Sequence, residues 1–481
     1  MEPTEDRSRR VTHNILLLYG AEAVGRLLSW ALLAFLTRRW VDVGTYGQYA
    51  VAVNWVSILV IFSDLGLNLL VVREVAHRKE QALYYLRYTI FIRGFFSLVF
   101  WFGLIGIAFA LGYEPILKLG IAVMGIRILL DSISGGYAYL FQSHEMMGYY
   151  SLSNVVSAAV RLVGIFIVVE MGGGVVEVCA MWTVGSAIAL MVLVWKGRQL
   201  GWKPDFSQMR WGEAVSILRR SIPLATFGSL QMLYYRVDSV ILKSLAGNEA
   251  VGYYDLAAKV IFVILAFSQN FGTATFPVLS SVRDDSEAFG RMATRSTKFL
   301  FLVGLPATIG GILLAQPIIV LISGNKYLPS APMFMILMLS VGAYFVSHIY
   351  VITLAIYNVV RLNFQFAVLF LLNAGLNFVL IPRMGGIGAS WATVICEGFG
   401  LFLGFGLAAP YLKDLNWFSL IRPFMACLGA SILMGIGIWC DPQLYWLVLG
   451  PVVYVAGVWI FRGLGPDEWK STFSIIRRKK A

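Results

Sequence analysis

The chain has 481 residues, of which 59% are hydrophobic and 13% charged, with a formal net charge of +12 and a mean hydropathy of +0.76. Soluble globular domains are about half apolar and about a quarter charged, so these values exclude an ordinary soluble enzyme, a disordered chain and a disulfide scaffold. They fit a chain whose solvent is mostly lipid.

In chain order, apolar runs long enough for a membrane-spanning helix fall near 15–36, 49–71, 88–111, 116–140, 150–169, 174–195, 221–242, 250–280, 299–323, 331–357, 362–381, 386–409, 420–440 and 443–461. A crossing takes roughly 20 apolar residues, and lipid offers the backbone no hydrogen-bond partners, so spans are helices or closed barrels. Continuous apolar runs favour helices over the alternating pattern of a barrel. The expected class is an all-α polytopic membrane protein with about fourteen transmembrane helices. The first run carries Glu22 and Arg26 and lacks a clear cleavage site, so it reads as a span and not as a signal peptide.

Lys and Arg set the orientation. With the N-terminus inside, segments expected on the inner side carry 26 of the 38 bases and the outer loops carry six. That bias predicts both termini on the cytoplasmic side of a multi-pass cytoplasmic-membrane protein. It also accounts for the basic surplus without nucleic acid. The tail Arg477-Arg478-Lys479-Lys480 reads as an anchor for anionic lipid. The connections are short, and no soluble domain is expected on either side. Cys179, Cys396, Cys427 and Cys440 fall in apolar segments without a CxxC pair and read as packing residues, not as a metal site or a disulfide framework. No GxxxxGK[ST] motif occurs, so no P-loop ATPase is expected. His348 reads as a packed histidine, and Pro223 and Pro306 as kinks.

A faint internal repeat is present. Gly47-Gln48-Tyr49-Ala50-Val51-Ala52 resembles Gly252-Tyr253-Tyr254-Asp255-Leu256-Ala257, and Met171-Gly172-Gly173 resembles Met384-Gly385-Gly386. Spans 1–6 and 7–12 then form two copies in the same orientation, with a binding site between them near the midplane. The expected organisation is an N-lobe at 1–213, a C-lobe at 214–412, and spans 13 and 14 with a basic tail at 413–481.

Six bases lie within spans: Arg26, Arg93, Arg127, Arg161, Arg236 and Lys259. A base at a span centre costs roughly 2.5–3.5 kcal/mol, so each needs a partner, water or a function. Glu22 stands one turn from Arg26, Asp131 from Arg127, and Asp255 from Lys259, which makes local pairs. Arg93, Arg161 and Arg236 have no acid one turn away. Arg93 is placed to snorkel toward the inner end of span 3. Arg161 and Arg236 are expected to face a hydrated cavity, because spans 5 and 7 carry polar stripes: Asn154, Ser157 and Arg161 on one, Gln231, Tyr234 and Asp238 on the other. Span 2 carries Asn54, Ser57, Asp64 and Asn68 on one face, and span 1 carries Tyr19, Glu22, Arg26 and Ser29. Helix–helix hydrogen bonding explains Asn and Ser but not the arginines. Spans 1–8 hold all six of these bases, and the repeat counterparts of Arg26 and Asp64 are Gln231 and Gln269, so the first lobe, with spans 7 and 8, is expected to line a cationic cavity. A cationic cavity suits an anionic substrate such as a pyrophosphate. All six bases are candidates for substrate binding, and Glu22, Asp64 and Asp238 for an ion that couples transport.

Three blocks carry a family resemblance. The first runs from Leu36-Thr37-Arg38-Arg39-Trp40 through Gly44-Thr45-Tyr46-Gly47-Gln48-Tyr49 to Asp64-Leu65-Gly66-Leu67 and Val72-Arg73-Glu74. The second is Arg236-Val237-Asp238 through Gly247 to Tyr254. The third is Asn373-Ala374-Gly375-Leu376-Asn377 through Ile381-Pro382-Arg383 to Gly386-Ile387-Gly388-Ala389-Ser390. Together they resemble the polysaccharide-transporter branch of the multidrug/oligosaccharidyl-lipid/polysaccharide exporter superfamily, the O-antigen-type flippases. The resemblance implies two six-helix lobes in a V, as in multidrug exporters of that superfamily, with two extra C-terminal helices. It implies alternating access, a polyprenyl-pyrophosphate-linked oligosaccharide moved from the inner to the outer leaflet, and cationic cavity residues on the first lobe, among which Arg26 fits best. Membrane lipids and polysaccharide-assembly proteins would be partners. No cofactor is expected; an ion gradient or the membrane potential would drive transport. A multidrug exporter is the alternative within the superfamily, although cationic drugs favour an acidic cavity. A membrane glycosyltransferase or ligase, the alternative from another class, would carry a sizeable outer loop with catalytic groups. A structural scaffold would not need the arginines.

Overall fold

A computed structural model describes residues 20, 24–40, 42–207 and 209–463, and every regular element among them is helical. Helix α1 covers 24–39. Helix α2 (Val43–Asp64) starts where the Asp42 carboxylate accepts the Thr45 N–H at 2.8 Å, a side-chain cap. It ends in two left-handed residues, Leu65 (φ 52°) and Gly66 (φ 74°), after which α3 (Leu67–His77) resumes. Gly66 has two reasons to be glycine: its positive φ, and the Ser221 carbonyl oxygen, which stands 2.3 Å from where a Cβ would sit. Helices α4 (Ala82–Ala110), α5 (Pro115–Ser143), α6 (Met147–Glu170) and α7 (Val175–Gln199) follow. Proline begins α5, where its missing N–H costs nothing. Glu177 caps α7 from its first turn, accepting the Gly174 N–H at 2.9 Å.

Helix α8 runs from Trp211 to Ser281 and contains two of the expected spans. Its break is Gly247, at φ 83° and ψ −176°, a conformation open to glycine. Pro223 and Pro306, expected as kinks, lie inside α8 and α9. The rest are α9 (Ser286–Leu313), α10 (Ala315–Ser323), α11 (Ser330–Tyr357), α12 (Val359–Met384), α13 (Gly386–Ala408), α14 (Phe418–Cys440) and α15 (Trp446–Ile460). Each of the fourteen expected runs overlaps a helix. Among the described residues, ten helical stretches are long and apolar enough to cross a membrane, and one of them, Gly228–Ser281, takes in span 8 and most of span 7. The expected number is therefore met approximately. The 15 residues of α15 span roughly 22 Å at 1.5 Å per residue, less than a full hydrocarbon core.

The chain divides into two compact units, Met1–Gly252 and Tyr253–Ala481. In the first, α5 is central and packs against α2, α3, α4 and α7, while α6 lies on α7. Its core joins Leu67, Leu70, Tyr85, Leu86, Tyr88, Leu140 and Phe141 with Trp202 from the connection after α7. The Trp202 and Phe141 rings meet edge-on at 4.9 Å. Arg87 donates to the Asp205 carbonyl at 3.0 Å, and the Arg210 N–H donates to the Tyr88 hydroxyl at 3.1 Å. The basic connection is thus tied to α4 and α5.

The same unit contains a reciprocal contact between the repeat copies. Val43 and Gly47 correspond to Asn248 and Gly252 at the repeat offset. A Cβ on Gly47 would stand 1.9 Å from the Asn248 carbonyl oxygen, and a Cβ on Gly252 would stand 2.6 Å from the Val43 carbonyl oxygen.

In the second unit α11 packs on α9 and α13, and α12 on α13; α14 lies on α9 and α15. Cys427, Ala430, Met434, Ile438, Tyr454 and Val458 form the α14–α15 core with Leu314. Large apolar side chains stand on outer faces in both units, such as Phe102, Phe166, Leu371, Phe402 and Trp439. Exposed apolar surface on this scale marks a membrane-facing protein. Cys179, Cys396 and Cys427 are buried, as packing residues should be, whereas Cys440 is exposed.

Candidate functional site

The first unit gathers charged side chains into three clusters. The first joins four helices. On α5, Arg127 Nε donates to Asp131 at 2.9 Å, the local pair expected from the sequence. The Arg127 guanidinium carbon also lies 4.9 Å from the centre of the Trp182 ring on α7, and that of Arg161 from α6 lies 3.9 Å from the same centre. Trp182 is held in turn, its Nε1–H donating to the Tyr49 hydroxyl of α2 at 3.2 Å. Gly185 lets α6 and α7 approach, since a Cβ there would stand 3.1 Å from the Ser157 carbonyl. Two guanidiniums thus stack on one indole ring, and the carboxylate of the cluster pairs with Arg127, which leaves a net positive charge. Arg127 and Asp131 are each about one-fifth exposed, and Arg161 is half-buried. Stacking on an indole stabilises a guanidinium through the ring face and leaves its edge N–H groups directed outward in the fork that matches phosphate oxygens.

The second cluster corrects the reading of Arg93. Its side chain does not snorkel; it is 4% exposed. Its Nη1 donates to the Tyr139 hydroxyl of α5 and lies 3.9 Å from Asp64 Oδ1 at the end of α2. The Tyr139 hydroxyl donates to that same carboxylate. A Cβ at Gly135 would collide with the Arg93 guanidinium at 1.8 Å, so the glycine makes the pocket that holds the charge.

The third cluster was not foreseen. Lys243, counted from the sequence as an outer-loop base, is 8% exposed, and its amine reaches the Glu114 carboxylate at 2.7 and 3.1 Å. Asn248 Nδ2 donates to the same carboxylate at 3.1 Å. Burial pushes the Glu114 carboxyl up, but hydrogen bonds from Lys243, its own backbone and Asn248 outweigh that and hold it below the usual carboxylate value. A fourth pair, Arg39 Nε to Glu170 Oε1 at 2.7 Å, joins α1 to α6.

The other expected residues are spread more widely. Arg236 Nη1 donates to Asn54 Oδ1 of α2 at 2.8 Å. Asp238 is buried on α8. Lys259 pairs with buried Asp255 at 2.7 Å in the second unit, as expected. Arg26 is half-buried on α1. Glu22, Tyr19 and the basic tail lie outside the described residues. Among the described residues no three His, Cys, Asp or Glu side chains converge as metal ligands would. Sequence reasoning missed Trp182 and Tyr139, since nothing local marks an aromatic residue as the partner of a base on another helix.

Residues 11–283, more than half of the chain, match the family described as polysaccharide biosynthesis protein. The chain belongs to the polysaccharide biosynthesis protein family. This family member is 22% identical over 229 residues to the teichuronic acid biosynthesis protein TuaB of Bacillus subtilis, covering 45% of each chain. It is 25% identical over 206 residues to the probable flippase AglR of Haloferax volcanii, covering 42% of this chain and 43% of that one. The matched stretches thus span less than half the length of these curated relatives. Among solved structures, it resembles a lipid II flippase, MurJ, in an inward closed conformation, with a TM-score of 0.75, 15% identity, and coverage of 93% of this chain and 98% of that one. The fold is therefore shared with that flippase structure.

Proposed function

We propose that the protein is a flippase that moves a polyprenyl-pyrophosphate-linked oligosaccharide from the inner to the outer leaflet of the cytoplasmic membrane by alternating access, for cell-surface polysaccharide synthesis. The observation that carries this reading is the shared stacking of Arg161 and Arg127 on Trp182, with Asp131 paired to Arg127. Those guanidiniums would take the pyrophosphate oxygens, with Arg236, Arg93, Lys259 and Arg26 as further bases on the route. The named activity of relatives such as AglR and the family match support a transporter over an enzyme. A multidrug exporter fits less well, because cationic drugs gain nothing from two stacked arginines of which only one is paired with an acid. With no P-loop in the chain, transport would draw on an ion gradient or the membrane potential, the latter worth roughly 2.3 kcal/mol per charge per 100 mV.

Mass spectrometry of lipid copurified with the full chain tests the substrate class. A polyprenyl-pyrophosphate oligosaccharide is expected, and a preparation that instead retains cationic amphiphiles would refute the proposal. The proposed orientation places Asp205 inside and Asp441 outside. Single cysteines at these positions, in a background without the native ones, should differ in intact cells: the one at Asp441 labels with an impermeant thiol reagent and the one at Asp205 does not. The opposite pattern would invert the topology.

A further inference from the structure

Asp64 occupies an unusual place. It is the last residue of α2, immediately before the left-handed pair Leu65 and Gly66. Its carboxylate accepts from the Tyr139 hydroxyl, which in turn accepts from Arg93. Among the described residues, the groups that face it are Arg93 from α4 and Tyr139 from α5; beyond Tyr139, Tyr150 of α6 acts on the same hydroxyl. The α8 backbone at Ser221 and Ala225 meets the adjoining Gly66.

Arg93 belongs to a polar stripe on α4. Thr89, Arg93 and Ser97 recur every fourth residue, hence on one helix face, and are 1%, 4% and 0% exposed. Among the described residues, the Thr89 hydroxyl, the Arg93 Nε and the Ser97 hydroxyl have no hydrogen-bond partner. Orphaned buried polar atoms are rare in folded proteins and call for an explanation. A row of them beside an acid–tyrosine–arginine chain is suited to carrying a proton through bound water.

We propose that Asp64 is the proton-binding site that couples transport to a proton gradient, with Tyr139 as its switchable hydrogen-bond partner and Arg93 as its counter-charge. This rests on the flippase reading above. The step is a protonation alone: the Asp64 carboxylate takes a proton from hydronium, leaving water and a neutral carboxylic acid. A metal cation fits less well, because the site offers one carboxylate with a guanidinium 3.9 Å away, and a proton needs only one lone pair.

Protonation also has a mechanical consequence. Neutral Asp64 can donate to the Tyr139 oxygen, reversing that bond, and it leaves Arg93 buried without its counter-charge. A buried charge losing its partner is strongly disfavoured, so the arrangement at the α2–α3 bend must change. Helix α2 also carries Tyr49, which holds Trp182 beneath Arg161, and Asn54, which holds Arg236. A shift of α2 therefore reaches the arginines proposed to bind the head group, and the linkage is reciprocal.

The test is pH-difference infrared spectroscopy on the purified full chain without substrate. Wild type should show a carboxyl titration that Asp64→Asn lacks. Tyr139→Phe removes a donor to the carboxylate and keeps the packing, so the same titration should move up by about one pH unit, about tenfold tighter proton binding. In cells, collapsing the proton gradient with a protonophore should cut surface-polysaccharide delivery by wild type severalfold and by Tyr139→Phe much less. The proposal is overturned by a titration that survives in Asp64→Asn, by an unshifted midpoint in Tyr139→Phe, by equal protonophore sensitivity of wild type and Tyr139→Phe, or by a carboxylate band that responds to sodium and not to acid. Should Asp64→Asn fail to fold, the Tyr139→Phe midpoint decides alone. The spectroscopic result does not depend on the transported lipid, so a failure of the flippase reading would appear in the copurified lipid and not in this titration.

Discussion

Replacing Arg161 by alanine is expected to abolish transport and to leave the fold intact. Its guanidinium lies over Trp182 with that of Arg127 nearby and, among the described residues, no carboxylate within ion-pair reach. Removing it breaks no ion pair there. It loses one ring contact, about 0.5–2 kcal/mol, and relieves the repulsion between two like charges. Stability should therefore change by about 1 kcal/mol or less. The contribution to head-group binding is larger. A hydrogen bond to a charged group is worth about 1.5–3 kcal/mol, a loss of about tenfold to about a hundredfold in affinity for each contact. Arg161→Lys should recover part of the activity if a point charge suffices, and little if a two-pronged phosphate contact is required. Thermal unfolding and export of the lipid-linked intermediate, measured on the same preparations, separate the two effects. An Arg161→Ala protein that is stable and fully active would remove the residue from the mechanism.

Gly47→Ala is expected to be the most damaging single methyl group in the first unit. The added Cβ would stand 1.9 Å from the Asn248 carbonyl oxygen and 2.7 Å from its carbon. Both are backbone atoms, which cannot rotate aside as a side chain can. Overpacking costs about 1–3 kcal/mol and occasionally more, and a clash with backbone belongs at or above the top of that range. Gly252→Ala strikes the same crossing from the other side, 2.6 Å from the Val43 carbonyl, and should be damaging for the same reason. Because the two share one contact, the double variant should cost less than the sum of the singles. Gly103→Ala on α4 meets nothing within 4 Å and serves as the control, with unfolding close to wild type. A Gly47→Ala protein that unfolds like that control would contradict the reciprocal crossing.

What was legible in the sequence follows from how each feature is encoded. Composition and run length placed the chain in a membrane, because a residue's transfer free energy does not depend on its neighbours in space. Helix type followed, since lipid leaves the backbone no alternative. The pairs Arg127–Asp131 and Lys259–Asp255 were legible because helical geometry brings residues four apart together. The repeat was legible too, and Gly47 and Gly252 within it, although their direct contact was not.

The tertiary structure alone decided which helix faces meet. Arg93 finds Tyr139 across 46 residues, Tyr139 finds Asp64 across 75, Lys243 finds Glu114 across 129, and Arg39 finds Glu170 across 131. A helical period assigns each of these side chains to a face of its own helix, but the rotation of that helix against its neighbours is set by packing over the whole unit. For that reason Arg93 was read as reaching for the membrane surface when it is buried beside an acid, and Trp182, the ring on which two arginines stack, carried no signal in the sequence at all.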